Sequence, residues 1–390
     1  MPVNNSIAAF ANEMTEWRRD IHAHPELRFE EFRTSETVAR KLAEWGIEVH
    51  RGIAGTGVVG VLRNGNSGRS IGLRADMDAL PMPEETGLPH ASTIPGKMHA
   101  CGHDGHTTML LGAAKYLAET KNFDGTVHFL FQPGEEGGAG ARIMIEEGLF
   151  DRFPCDSVYG IHNDPGLKLG ETSVVAGPIL AASDGVTITV QGRGGHAARP
   201  HMSLDPIVVG AQIVVAIQGI VARKVDPLDS AVISLCQFHA GTANNVIPNT
   251  ATISGTVRTL QPGTRDEMQR LITQIARNTA AMYDAEAVVE YKRGYPPTVN
   301  HEAETERAAL AAAKVMGEDK VIRKRAPAMG AEDFSYMLLE RPGCFLKLGQ
   351  AAADKGGVPV HNTRYDFNDD ALPVGASFFA AIVEQELLRG

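Results

Sequence analysis

Between Ile179 and Tyr295 the order of strand-like and helix-like runs changes, and that change limits how the rest of the chain can be built. The runs VTITVQG (186–192), AVISLCQFHA (231–240), TATISGTVRT (250–259) and AVVEYKRGY (287–295) read as strands, and 205–222 and 265–283 as helices. The resulting order, β-α-β-β-α-β, is a split βαβ module of the ferredoxin-like α+β type, which can bury a core by itself. On both sides the pattern is different. GTGVVGVL (55–62), SIGLRADMD (70–78), TVHFLFQ (126–132) and SVYGIHN (157–163) are short β-rich runs, helices are expected over 106–120 and 375–388, and 6–45 reads as two helices broken at Pro25. Strands alternating with helices imply an α/β fold with a mostly parallel central sheet covered on both faces. A self-contained module between two stretches of one pattern reads as an insertion. Residues 1–178 and 296–390 are therefore assigned to one domain and 179–295 to another, with Tyr295-Pro296-Pro297 as a hinge.

Composition excludes several classes. The chain has 390 residues, 43% of them apolar, enough to bury two cores. Its net charge is −10, with no basic run, which argues against a nucleic acid partner. No apolar stretch is expected to reach bilayer length, and the first twenty residues lack a cationic start followed by an apolar core. No membrane partner and a cytoplasmic location are the expectations. Cys101, Cys155, Cys236 and Cys344 are widely spaced, which does not suggest a disulfide framework.

Four segments offer metal-ligand chemistry. MHACGHDGHT (98–107) carries Cys101 and His103, two residues apart, so an extended loop points both the same way. A thiolate beside an imidazole suits zinc, cobalt, nickel or manganese rather than calcium. FLFQPGEEGGAG (129–140) places Glu135 and Glu136 in a glycine-rich loop after a strand, where one carboxylate can ligate and the other can face a nucleophilic water. His162 in YGIHN and His361 in GGVPVHNTRYDF each follow an apolar or glycine-rich run. Either histidine alone could be a hydrogen-bonded core residue, but the four segments together are better explained by shared cations.

The motifs RRDIHAHPELRFEE (18–31), IGLRADMDALP (71–81), MHACGHDGHT, FQPGEEGGAGA (131–141), GRGGHAARPH (192–201), GTANNVIP (241–248), GTVRT (255–259) and GAEDFS (330–335) occur in this order along nearly the whole chain. In this the chain resembles the hippurate hydrolase, N-acyl-amino-acid amidohydrolase and indole-acetyl-amino-acid hydrolase branch of the zinc metallopeptidases. The resemblance implies a zinc-peptidase-like catalytic domain with an inserted dimerisation or lid domain, and two divalent metal ions per subunit. It makes Cys101 the bridging ligand, His103, Glu136, His162 and His361 the other ligands, and Glu135 the general base. Relatives across the wider superfamily supply a His-x-Asp pattern where this chain reads Asp76-Met77-Asp78, so Asp78 is expected to orient a ligand rather than to be one. In the inserted module, Arg258 is a candidate clamp for a carboxylate, Asn245 for the substrate backbone, and His196 for the developing oxyanion. The resemblance places His196 in the partner subunit's site, in a homodimer or homotetramer. The implied substrate is a small N-acyl amino acid; a dipeptidase or carboxypeptidase using the same centre is the alternative.

Overall fold

The computed structural model describes residues 3–389. The first part of the chain forms α1 (Ala11–Ala23), α2 (Phe32–Glu44), β1 (Glu48–Ile53), β2 (Gly57–Asn64), β3 (Ser70–Asp76), α3 (His103–Thr120), β4 (Gly125–Gln132), β5 (Ser157–Lys168) and β6 (Thr172–Ser173). The middle forms β7 (Asp184–Gln191), α4 (Pro206–Lys224), β8 (Ala231–Ala240), β9 (Thr250–Thr259), α5 (Pro262–Ala281) and β10 (Glu286–Lys292). The last part adds α6 (Glu302–Met316), β11 (Val321–Ile322), β12 (Gly343–Ala351) and α7 (Leu372–Glu386), besides shorter pieces throughout.

Two compact units result: Met1–Gly177 with Val299–Ala326 and Asp333–Gly390, and Pro178–Thr298 with Pro327–Glu332. The short return of 327–332 to the second unit has a local cause. Ala181 N donates to Gly330 O at 2.9 Å and Leu180 bridges Ala328.

The first unit is built on an eight-stranded mixed sheet of order β1-β2-β4-β3-β5-β12-β6-β11. Its centre, β4-β3-β5-β12, is parallel, and antiparallel pairs flank it. Val58–Leu62, Ile71–Asp76 and Val127–Gln132 are buried without alternation, as strands covered on both faces must be. Helix α3 is buried around its whole circumference from His103 to Ala114, packed by α1 and α7. The edge strand β1, EVHRGI, carries little strand signal in its sequence because it mixes charged residues into a short exposed run. The N-terminal segment holds a further short helix, Asn5–Ala8, before α1, so the chain breaks there as well as around Pro25.

The second unit is a four-stranded antiparallel sheet, β8-β9-β7-β10, with α4 and α5 packed on one face. Strand β7 alternates buried with half-buried residues, the pattern of a sheet covered on one side. Asp205 caps α4 by accepting from Ile207 N at 2.9 Å, with Pro206 in the first turn. Helix α4 corrects one expectation. At 19 residues it is long and apolar enough, by length and composition, to cross a membrane. Its residues Val209, Ile213, Ile217 and Ile220 nevertheless form a buried stripe at helical spacing inside this unit's core.

Candidate metal centre

The candidate ligands come from four segments of the first unit: the start of α3, the stretch after β4, the interior of β5 and the segment after β12. Strands β3 and β5 pair from Ile71↔Ser157 to Arg74↔Gly160, so His162 sits just beyond the paired stretch. Cys101 and His103 flank Gly102, the residue before α3, whose φ of 92° is left-handed. A Cβ at Gly102 would lie 2.5 Å from both Asn163 Oδ1 and Tyr365 Oη, so only glycine fits there. His361 is also left-handed, at φ 61°, and its N–H donates to Ala100 O at 2.7 Å, which ties the last segment to the first.

The ligand atoms of Cys101, His103 and His162 lie within 4.8 Å of one another, and so do those of Cys101, Glu136 and His361. Cys101 belongs to both sets. Its Sγ is 3.4 Å from His162 Nε2, and His361 Nε2 is 3.1 Å from Glu136 Oε1. His103, Glu135 and Glu136 form a third set of the same size.

These residues suit metal ions for a specific reason. His103 Nδ1 donates to Asp78 O at 2.8 Å and His162 Nδ1 to Asn163 O at 2.7 Å, so in each neutral ring Nε2 holds the lone pair. His103 Nε2 is buried with no hydrogen-bond partner among the described residues, which a cation would correct. Burial, followed by the charge on Lys347, pushes the His162 imidazole well below its usual range, keeping it in the neutral form that ligates. Burial and then Glu136 push the Cys101 thiol up to about 12, so this cysteine needs a cation to ionise.

Asp78 holds three parts of the centre. Its carboxylate accepts the backbone N–H groups of Glu135 and Glu136, each at 2.9 Å, while its carbonyl orients His103. Two buried residues were not singled out from sequence. Asp76 and His106 form a fourth set with His103, and Asp76 Oδ1 accepts from His106 Nδ1 at 2.6 Å while Arg74 occupies its other oxygen. His106 lies one helical turn after His103, and that spacing was the available signal.

His196, Asn245 and Arg258 belong to the second unit. The exposed His196 pairs with Val246, and Ala197 N donates to Asn245 O at 3.1 Å, so these two candidates are neighbours. Arg258 pairs with Val232 near the other end of β9, and its side chain makes no hydrogen bond or ion pair among the described residues.

Residues 72–385 match the model of peptidase family M20/M25/M40. The chain belongs to this family. As a family member it is a hydrolase, a metal-dependent amidohydrolase. It is 43% identical to a hippurate hydrolase of Campylobacter jejuni over 95% of each chain. It is 38% identical to thermostable carboxypeptidase 1 of Saccharolobus solfataricus over 96% of this chain and 95% of that one. Among solved structures, a Bacillus subtilis protein described as a dinuclear metal-binding peptidase of the M20 family is similar at a TM-score of 0.86 and 34% identity, covering 97% of this chain and 99% of that one.

Proposed function

We propose that the chain hydrolyses the amide bond of N-acyl amino acids, R–CO–NH–CHR′–COO⁻, adding water to give a carboxylic acid and a free amino acid. The carrying observation is that Cys101 is common to two ligand sets, beside two adjacent glutamates. Cys101 would hold both ions of a pair, His103 and His162 one of them, and Glu136 and His361 the other. Zinc, manganese, cobalt or nickel, once bound, would lower the pKa of a water and polarise the scissile carbonyl. Glu135, buried at the rim with its N–H fixed by Asp78, takes a proton from the attacking water and returns it to the leaving nitrogen. His196 Nδ1 accepts from Ala198 N at 3.1 Å, so the neutral ring carries its proton on Nε2, free to donate to the carbonyl oxygen as charge develops there. Arg258 clamps the substrate carboxylate through two parallel donors, and Asn245 holds the amide.

Within one chain Arg258 and His196 stand far apart: eight residue steps along β9 separate Arg258 from Thr250, roughly 26 Å at strand rise, and His196 lies beyond the Thr250 end. One small substrate cannot touch both, which supports a homodimer or homotetramer in which His196 serves the partner's site. Ile207, Val208 and Val215 on α4, and Val232 and Phe238 on the edge strand β8, are exposed apolar residues suited to such an interface. All four cysteines are free, in keeping with the reducing conditions of a cytoplasmic enzyme.

A second reading is a carboxypeptidase, supported by the Saccharolobus relative's name, since a C-terminal peptide bond also lies beside a free carboxylate. The decisive assay gives the metal-loaded protein N-benzoyl, N-acetyl and indole-acetyl amino acids alongside dipeptides. Faster turnover of dipeptides across the panel would reject the first reading in favour of the second.

A further inference from the structure

The loop bearing Glu135 and Glu136 is gripped from outside the ligand set by one turn near the N-terminus. Leu27 bridges Ala79, and Ala79 N donates to Glu26 O at 2.8 Å, so this turn is anchored beside Asp78. Beyond the anchor, Arg28 donates from its guanidinium to Glu136 O at 2.9 Å. Phe29 has a φ of 63°, a conformation that a bulky residue adopts only when its surroundings impose it. Its ring covers the loop: a Cβ at Gly134 would lie 2.7 Å from Phe29 Cζ, and one at Gly138 2.8 Å from Phe29 Cε2. Glu31, fully buried, accepts from Gly134 N at 2.9 Å and from Thr56 Oγ1 at 2.5 Å. Side chains of three residues in four therefore converge on a loop of five.

We propose that Phe29 and Glu31 are positioning residues that set the placement of the Glu135 carboxylate, Phe29 by covering Gly134 and Gly138 and Glu31 by fixing the Gly134 amide. The strained turn at Phe29 is kept because it brings the ring onto the loop. Asp78 fixes the next two amides, so Glu31 and Asp78 together hold three consecutive N–H groups, those of Gly134, Glu135 and Glu136. The proposal rests on the reading of Glu135 as base and Glu136 as ligand.

Three variants of the full-length protein test it. Glu31→Ala removes the acceptor. Glu31→Gln keeps an oxygen for Gly134 N, and because burial pushes the Glu31 carboxyl up to about 7, the neutral amide is a close replacement. Phe29→Asn removes the ring while tolerating the left-handed backbone. Amide hydrogen exchange, measured on metal-loaded and on chelated protein, is expected to speed up about tenfold at 134–138 in Glu31→Ala and Phe29→Asn, with α3 and β4 unchanged. With metal content at the wild-type level, kcat should fall roughly tenfold to a hundredfold in both, with KM little altered, and Glu31→Gln should recover most of the loss. Unchanged exchange at 134–138, or an increase spread evenly along the chain in every variant, would overturn the proposal. So would Glu31→Gln behaving like Glu31→Ala. The exchange measurement uses no substrate, so its failure is distinct from a failure of the amidohydrolase reading.

Discussion

The two units hold their candidate functional residues in opposite ways. In the first, Cys101, His103, Glu135 and His162 are buried, and His103, His162 and the Glu135 and Glu136 amides are all fixed by hydrogen bonds from outside the ligand set. In the second, His196 is exposed on a two-residue ladder and Asn245 in the turn beside it, and the half-buried Arg258 side chain has no partner among the described residues. The difference tracks the chemistry assigned to each. Metal ligands are best placed before any ion arrives, because a ring nitrogen buried without a partner is costly and a hydrogen bond from outside the ligand set fixes which nitrogen faces the ion. Groups that recognise a passing substrate can acquire their partners from it.

This contrast can be broken or sharpened by experiment. The largest expected effect is from metal removal: exhaustive chelation should abolish measurable turnover, and one of zinc, manganese, cobalt or nickel should restore it. Full activity in protein shown by elemental analysis to be metal-free would end the two-metal reading. Next, Glu135→Gln should cost about 10²–10⁴ in kcat with metal content retained, whereas Glu136→Gln should lower metal content. The reverse pattern would exchange the two roles.

In the second unit, His196→Ala should cost roughly 10²–10³ in kcat without altering metal content. Mixed with Glu135→Gln and allowed to exchange subunits, it should recover about a quarter of wild-type activity, since half of the dimers would then hold one intact site. Heterodimers seen by native mass spectrometry but without activity would return His196 to its own chain's site or remove it from catalysis. Arg258→Ala should raise KM by about one to two orders of magnitude, the 1.5–3 kcal/mol of a charged hydrogen bond, for an N-acyl amino acid but hardly for its uncharged amide. Equal losses on both substrates would make Arg258 structural.

The smallest effect concerns stability in the first unit. His22 is buried with Nδ1 2.8 Å from Asp104 and Nε2 3.4 Å from Glu84, and Arg18 also faces Asp104 at 3.5 Å. Burial disfavours the charged ring, but Asp104 and Glu84 outweigh burial and Arg18, and raise His22 from 6.5 to about 9. A raised histidine stabilises the fold fully below its unfolded value, and that contribution is lost as the pH rises through the folded one. The melting temperature should therefore decline between about pH 6.5 and 9, and His22→Gln should flatten that decline. An identical slope in the variant would assign it to other groups.

Much of this was legible in the sequence, for reasons that differ along the chain. Strands β8 and β9 coincide with the expected 231–240 and 250–259, because each run lies between turn-forming residues, Asp226–Ser230 before β8 and Gly241–Asn249 between the two. The Cys101 and Glu135-Glu136 segments stood out because so many polar ligand types rarely crowd beside apolar strands. What escaped were residues whose role depends on distant partners. Asp76 is defined by His106, and Phe29 by Gly134, and neither pairing leaves a local pattern. The membrane-length character of α4 is hard to see in the sequence because Gln212 and Gln218 interrupt the apolar run without shortening it.

The insertion also governs how the chain can fold while it is being made. The second unit has all four of its strands once Lys292 has been synthesised, but β5 pairs with β12, whose first residue, Gly343, lies opposite Val158. At ordinary elongation rates β5 waits on the order of ten seconds or more for that neighbour, presenting an open edge to the crowded surroundings of the ribosome. The central sheet, although it begins first, is thus completed last, and the nascent chain passes through a stage in which its finished middle is joined to a half-built beginning.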